Sequence, residues 1–286
     1  MAVTREGLPV RCWVFPGNTT DVDTIERVRK DLRGLKLGRA LFVADAGMNS
    51  EKNRKELGRA CGKYLLASRM ASVAEIRDSV LSKRGRYTVF TDNLQAKEVI
   101  IGDGECRKRY ILCYNPKEAH RQQKHRSMTV EVLEKELAKH PDKKATAQWA
   151  IELLASKRYK RYLSITDSNQ VRIDYEKIRK AEKYDGKWVL ETNDDTICLA
   201  DAACGYKGLM IIERCFRSLK RTQIKMSPMY HWLPRRIETH VRICVLSLLI
   251  NALRSLRARN HGLRFAQYWK GCRSRNFRHR PTVFLN

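Results

Sequence analysis

Apolar positions recur along the chain in two rhythms, and their succession outlines an α/β protein. Around Glu6-Gly7-Leu8-Pro9 the first residues alternate as strands do, with Val10, Cys12, Val14 and Phe15 as the second arm of a predicted hairpin. Pro16-Gly17-Asn18-Thr19-Thr20-Asp21 then makes a turn, and Thr20 or Asp21 can cap a helix reaching to about Arg33. Leu41-Phe42-Val43-Ala44 is a continuous apolar run, the pattern of a strand buried on both faces, and it delivers Asp45 at its carboxyl end. Ala46-Gly47 permits a sharp turn, after which Asn49 or Ser50 can cap a helix beginning near Glu51. Lys63-Tyr64-Leu65-Leu66-Ala67 reads as a further core strand.

After Met70 the pattern breaks into shorter strand-like pieces, Tyr87 to Phe90, Glu98 to Ile101 and Tyr110 to Tyr114, with turns at Gly85 and Gly102-Asp103-Gly104. A charged helical stretch follows from about Lys117 to Arg158, and Gly186 to Leu190 returns to strand. Between Gly205 and Arg221 the rhythm is helical, with Leu209, Ile212, Phe216 and Leu219 on one stripe. Beside that stripe Tyr206, Glu213 and Lys220 stand seven apart and so nearly in line, with Arg217 one turn beyond Glu213. Spacing alone makes Glu213 an ordinary i,i+4 partner of Arg217, worth roughly a few tenths of a kcal/mol. Pro234 opens a second apolar helix to about Leu256, too hydrophobic for a surface element and expected to pack against the sheet.

Charge changes the picture from a fold to a partner. The 286 residues carry 58 Lys+Arg against 31 Asp+Glu, a formal net charge of +27, which calls for a polyanion. Nucleic acid is favoured over a membrane, because the longest apolar run, Ile243 to Ile250 between Arg242 and Arg254, falls well short of the ~20 residues that span a bilayer. From Thr239 to Asn286 there is no acidic residue while arginines recur, so the end of the chain is expected to be a loosely ordered basic tail. Nine scattered cysteines without a C-x-x-C pair read as reduced thiols, with neither a zinc site nor a disulfide framework. Met1 is followed by no apolar stretch, so no signal peptide is expected and the localisation reads as cytoplasmic. His120 and His125 lie five apart among Arg121, Lys124 and Arg126, a poor setting for a cation. Lys157-Arg158-Tyr159-Lys160-Arg161-Tyr162 interleaves cations with aromatics, which suits either phosphates and splayed bases or a solvated charged face.

Tyr206, Glu213 and Lys220 match the Y-x2-R-x3-E-x6-K signature of insertion-sequence transposases of the "IS-four" group, which the stretch resembles; Leu209 stands where that group has Arg. Leu41 to Ser50 is similar to the segment that holds the second Asp of the group's DDE triad, and Gly17-Asn18-Thr19-Thr20-Asp21 to its GN-T-x-D turn. The helix after Pro234 resembles the one that follows the signature, and the block from 70 to 190 stands where the group carries a β-rich insertion.

The resemblance implies an α/β, RNase H-like catalytic core interrupted by that insertion. The core would run through residues 1–69 and 191–258, the insertion through 70–190 and a basic tail through 259–286. It implies Asp45 and Glu213 as catalytic carboxylates and metal ligands, and Tyr206, Arg217 and Lys220 as DNA contacts. Two Mg2+ or Mn2+ ions, transposon-end and target DNA, a homodimer when complete and a nucleoid-associated location follow from the same likeness. In the group the strand bearing the first Asp precedes the hairpin with which this sequence opens. The chain is therefore expected to be an N-terminally truncated, catalytically impaired copy, with two unpaired sheet edges between that hairpin and the Leu41 strand. Two other functions fit the residues: a non-enzymatic basic DNA-binding remnant or regulator of transposition, and a metal-dependent nuclease that recruits Asp21 or Asp201 instead.

Overall fold

Every residue of the apolar run Leu41–Ala44 is buried, and the first part of the fold is laid out around it. The computed structural model describes residues 1–4, 6–34, 40–59, 62–104, 107–140, 144–267 and 282–285. In chain order these form β1 (Ala2–Val3), β2 (Pro9–Arg11), α1 (Asp21–Gly34), β3 (Leu41–Ala44), α2 (Glu51–Gly58), β4 (Lys63–Ser68), β5 (Thr88–Thr91), β6 (Leu94–Ile101), β7 (Lys108–Tyr114) and α3 (Pro116–Ala138). There follow α4 (Gln148–Ala155), α5 (Lys157–Lys160), β8 (Leu163–Ile165), β9 (Val171–Ile173), α6 (Tyr175–Glu182), β10 (Lys187–Thr192), α7 (Leu199–Lys207), α8 (Leu209–Arg217), α9 (Pro234–Gln267) and β11 (Thr282–Leu285). The fold is mixed α/β, in two compact units: residues 1–83, 98–111 and 189–286, and residues 84–97 and 112–188.

In the first unit the strands run in the order β2-β1-β11-β3-β4-β10-β7-β6, a mixed sheet. The opening hairpin is antiparallel, β3 pairs parallel with β4 as Leu41↔Lys63 to Ala44↔Leu66, and β10 pairs antiparallel with β4. Ile25, Val28 and Leu32 of α1 meet Phe42, Ala44, Leu57, Tyr64 and Leu66 in one core, so the helical i, i+3, i+7 spacing and the apolar strand run were two views of one packing face. Arg29, buried on the same face of α1, donates to the Glu56 and Arg59 carbonyls and so satisfies the C-terminal end of α2.

The sheet edges expected to lie unpaired are both paired, because β11 enters between them, antiparallel to β1 and parallel to β3 in the register Thr282↔Leu41 to Phe284↔Val43. Unpaired backbone groups beside the buried residues Ala2, Val3 and Leu41–Ala44 would be costly, and a strand from far along the chain meets that demand. The loosely ordered tail is accordingly not the state of residues 282–285; Lys270, Cys272, Arg273, Arg275, Arg278 and Arg280, like Cys61 and Cys106, lie outside the described residues.

The helix after Pro234 is only partly covered. Cys244 and Leu248 are buried and α9 packs against β2, but Ile243, Leu246, Ile250 and Leu253 are about half-exposed, which corrects the expectation of a helix buried by its apolar character. Among the described residues no helix is long and apolar enough to cross a membrane.

In the second unit the long charged helix is broken. Asn115 caps α3 by accepting from Glu118 N at 3.2 Å, and α3 ends at Ala138, shortly before Pro141, which disfavours helix in the residue preceding it. Leu133, Leu137, Ala150, Tyr162, Leu163, Val171 and Ile178 form the core. The β8–β9 hairpin escaped the sequence reading; its turn carries Asn169 at φ 57°, a left-handed position that Asn tolerates. Tyr162 is buried and Tyr159 packs on the same core, with Arg158 and Arg161 over the two rings at 5.5 and 5.2 Å. The rings of the 157–162 run thus face inward, which removes them as platforms for splayed bases.

Candidate active site

Asp45 leaves the carboxyl end of β3 and caps the 3-10 turn Ala46–Met48, its Oδ1 accepting from Ala46 N at 2.7 Å. Two side-chain amides from the following residues fix this turn. Asn49 donates to Ala67 O at 2.9 Å and Ser68 Oγ at 2.8 Å on β4, and Asn53 donates to Met48 O at 2.9 Å and to Val22 O, on α1, at 3.0 Å. Ser50 caps α2 beneath them, accepting from Asn53 N. Asp21, the first residue of α1, reaches the same edge: its carboxylate lies 3.6 Å from where a Cβ on Gly47 would stand. The two turns read separately in the sequence, at 17–21 and at 45–50, therefore meet.

The Tyr206 hydroxyl donates to Asp45 Oδ1 at 3.0 Å, from α7, which packs on β3 and β4. The single helix expected from Gly205 to Arg221 is not continuous. At Gly208 it tightens into three-residue turns, Gly208 N to Gly205 O at 3.0 Å and Ile211 N to Gly208 O at 2.9 Å, and at Ser218–Thr222 it widens into a π turn. Glycine is a poor helix interior residue, and the tightening falls on it. Tyr206 and Glu213 consequently belong to different helices, and Lys220 leaves the α-helical line to lie 5.7 Å from the Phe216 ring.

On α8 Leu209, Ile212 and Cys215 are buried, and Cys215 Sγ donates to Gly7 O at 3.8 Å, which seats the helix on the opening hairpin. Glu213, Arg217 and Lys220 are exposed. Glu213 and Arg217 form no ion pair among the described residues, so the ordinary i,i+4 partnership is not made. The structure thus brings Tyr206 to Asp45 and leaves the carboxylate of Glu213 on the open side of α8. Asp201 lies exposed in the first turn of α7.

A partly buried group of polar side chains near the Asp45 turn was missed by the sequence reading. Glu191 on β10 is buried and meets Arg54 Nε at 3.3 Å, while Arg54 Nη1 donates to Asn49 Oδ1 at 2.6 Å. Burial, with the Glu191 charge adding to it, pushes the Tyr64 hydroxyl up to about 12; burial pushes Tyr110 up as well, with Glu191 and Glu75 behind it. The available signal was Val189-Leu190-Glu191, an apolar run ending in a carboxylate just as Leu41–Ala44 ends in Asp45.

Among the described residues no three Asp, Glu, His or Cys side chains converge to enclose a metal ion, and His120 and His125 stand exposed on α3. The geometry is that of a mixed α/β sheet with an acidic residue at the carboxyl end of a central strand, where such sheets carry ligand and metal groups. The chain matches the transposase DDE domain over residues 1–249 and belongs to that family. Membership makes DNA transposition its general function and DNA its partner, in a family that works with divalent metal ions. No curated relative matches the chain.

Proposed function

We propose that the chain is the catalytic-domain protein of an IS-four-group transposase, with an RNase H-like core and with Asp45 and Glu213 as its metal-binding carboxylates. The observation that carries this reading is the Tyr206–Asp45 hydrogen bond, which joins two of the resembling motifs across 161 positions of sequence. Tyr206 and Ala46 both donate to Oδ1 of Asp45, so they orient the carboxylate while its second oxygen is left for another partner.

Hard carboxylate oxygens fit Mg2+ or Mn2+, which take oxygen ligands and keep several waters. Asp45 and Glu213 would hold the ions, with Asp21 a further carboxylate beside the Asp45 turn. When bound, such ions stabilise the attacking and leaving oxygens of a phosphodiester. Arg217 and Lys220, exposed beyond Glu213, would hold DNA phosphates, and Tyr206 would touch DNA as well as Asp45. The working form is a homodimer acting on transposon ends and target DNA, in the cytoplasm at the nucleoid.

A second reading, a DNA-binding regulator with impaired or no cleavage, is favoured by the lack of any three converging ligands among the described residues. Metal-dependent nicking of transposon-end DNA by the chain separates the two. Under the first reading the chain nicks in Mg2+ or Mn2+, and Asp45→Asn and Glu213→Gln each reduce the rate by at least about 100-fold. Asp21→Asn does the same if it supplies the third carboxylate. Nicking that survives Asp45→Asn unchanged overturns the assignment; binding without nicking selects the regulator.

A further inference from the structure

Between the π turn at Ser218–Thr222 and α9 the first unit exposes two aromatic rings. Tyr230 is 79% and Trp232 93% accessible, the two most exposed of the large apolar side chains among the described residues. A ring that contributes about 2 kcal/mol or more when covered is an unusual residue to leave in water. His231 between them packs instead on His240 of α9, with ring centroids 5.4 Å apart at 65°. Leu233 O accepts from Arg236 N at 2.9 Å and Ile237 N at 3.0 Å, which ties the segment into the first turn of α9. The rings are therefore presented from an anchored base.

Their surroundings are cationic. Lys225, Arg235 and Arg236 are exposed on the same short stretch. The only acidic residue after Glu213 is Glu238, and it is paired with Arg242 at 2.6 Å. Exposed rings interleaved with unneutralised cations are what an unpaired nucleotide strand requires, since every base offers a π-face for stacking and every link a phosphate. The core of a protein interface would use the same rings and arginines but is depleted of lysine and of acidic residues, so Lys225 fits it poorly.

We propose that Tyr230 and Trp232 form a stacking site for unpaired nucleotides of DNA, an overhang or an opened end, with Lys225, Arg235 and Arg236 on the flanking phosphates. The site rests on the DNA-binding function of the family and adds to it a preference that a basic surface alone does not give. A duplex hides the faces of its bases, so the rings act only where the strands have come apart.

The test measures binding of the full chain to a labelled blunt duplex and to the same duplex with a single-stranded overhang of roughly ten nucleotides, a length within the usual footprint of stacking proteins. Wild type is expected to prefer the overhang DNA. Trp232→Ala should lose about 5- to 100-fold in affinity for it and change the blunt duplex by no more than about twofold. Trp232→Phe, which keeps a ring, should retain most of the preference while abolishing the part of the tryptophan fluorescence that the overhang quenches.

Equal losses on both DNAs, or no loss on either, overturn the proposal. So does a shift of Trp232→Ala from dimer to monomer in sedimentation with overhang binding intact, which would make the rings a protein interface. Failure of the wild type to bind either DNA would overturn the DNA-binding reading itself, and the stacking site with it.

Discussion

Tyr64 and Tyr110 lie near a carboxylate, Glu191, that the fold has taken out of water, and the arrangement has a consequence in alkali. The folded protein raises the Tyr64 pKa from 10.0 to about 12, first through burial and then through Glu191. A group whose folded pKa is raised contributes stability that is full below the unfolded pKa and is lost as pH climbs through the folded one. Stability should therefore fall between about pH 10 and 12, and Tyr64→Phe should flatten that fall, both read as the urea midpoint against pH. A midpoint equally steep in the variant would assign the loss to other groups. At this scale the sequence was legible where a residue's role is set locally. Asp45 ends an apolar run, and Ser50 precedes a helix that it caps. Glu191 was not, because its partner Arg54 arrives from α2 and is itself held by Asn49 of the turn before α2, and nothing in the residues around Glu191 names those partners.

Among the elements, β3 and β4 could be read from their continuous apolar runs, and α1 from the turn and cap that open it. β11 could not. Thr282-Val283-Phe284-Leu285 is a brief apolar run after a long basic stretch, and only the pairing needs of two distant strands give it a place. Likewise the uninterrupted stripe Leu209, Ile212, Phe216 and Leu219 hid the tightening at Gly208 and the π turn after Arg217, since a stripe records one face and not the hydrogen bonds behind it. The central position of β11 is testable. Deleting residues 282–286 leaves backbone groups of β1 and β3 without partners beside a buried core, at a cost of about 1–3 kcal/mol for each group left unsatisfied. The first unit is expected to lose at least about 3 kcal/mol of stability, measured by urea unfolding, with faster amide exchange at Ala2, Val3 and Leu41–Ala44. Unchanged exchange at those positions would mean that another segment, or water, can take the place of β11.

For the whole molecule the excess of cations is the property most directly legible in the sequence, and it sets how DNA is held. With a formal charge of +27, binding gains most of its free energy by releasing counterions from the DNA, so the logarithm of the binding constant should fall linearly with the logarithm of salt concentration, at about −0.9 per phosphate neutralised. The distribution of exposed cations, Arg217 and Lys220 beside Glu213 and Lys225, Arg235 and Arg236 around the exposed rings, predicts that the slope is divisible. Replacing Arg235 and Arg236 together by Ala should reduce its magnitude by about 1.8 if each holds one phosphate, and Arg217→Ala with Lys220→Ala should do the same independently. The two reductions should add if each pair holds its own phosphates. Titrations of the duplex with a single-stranded overhang between low and physiological salt would measure this. A slope near zero would remove phosphate neutralisation as the basis of binding, and a slope unaltered by either double variant would place the contacted phosphates elsewhere on the chain.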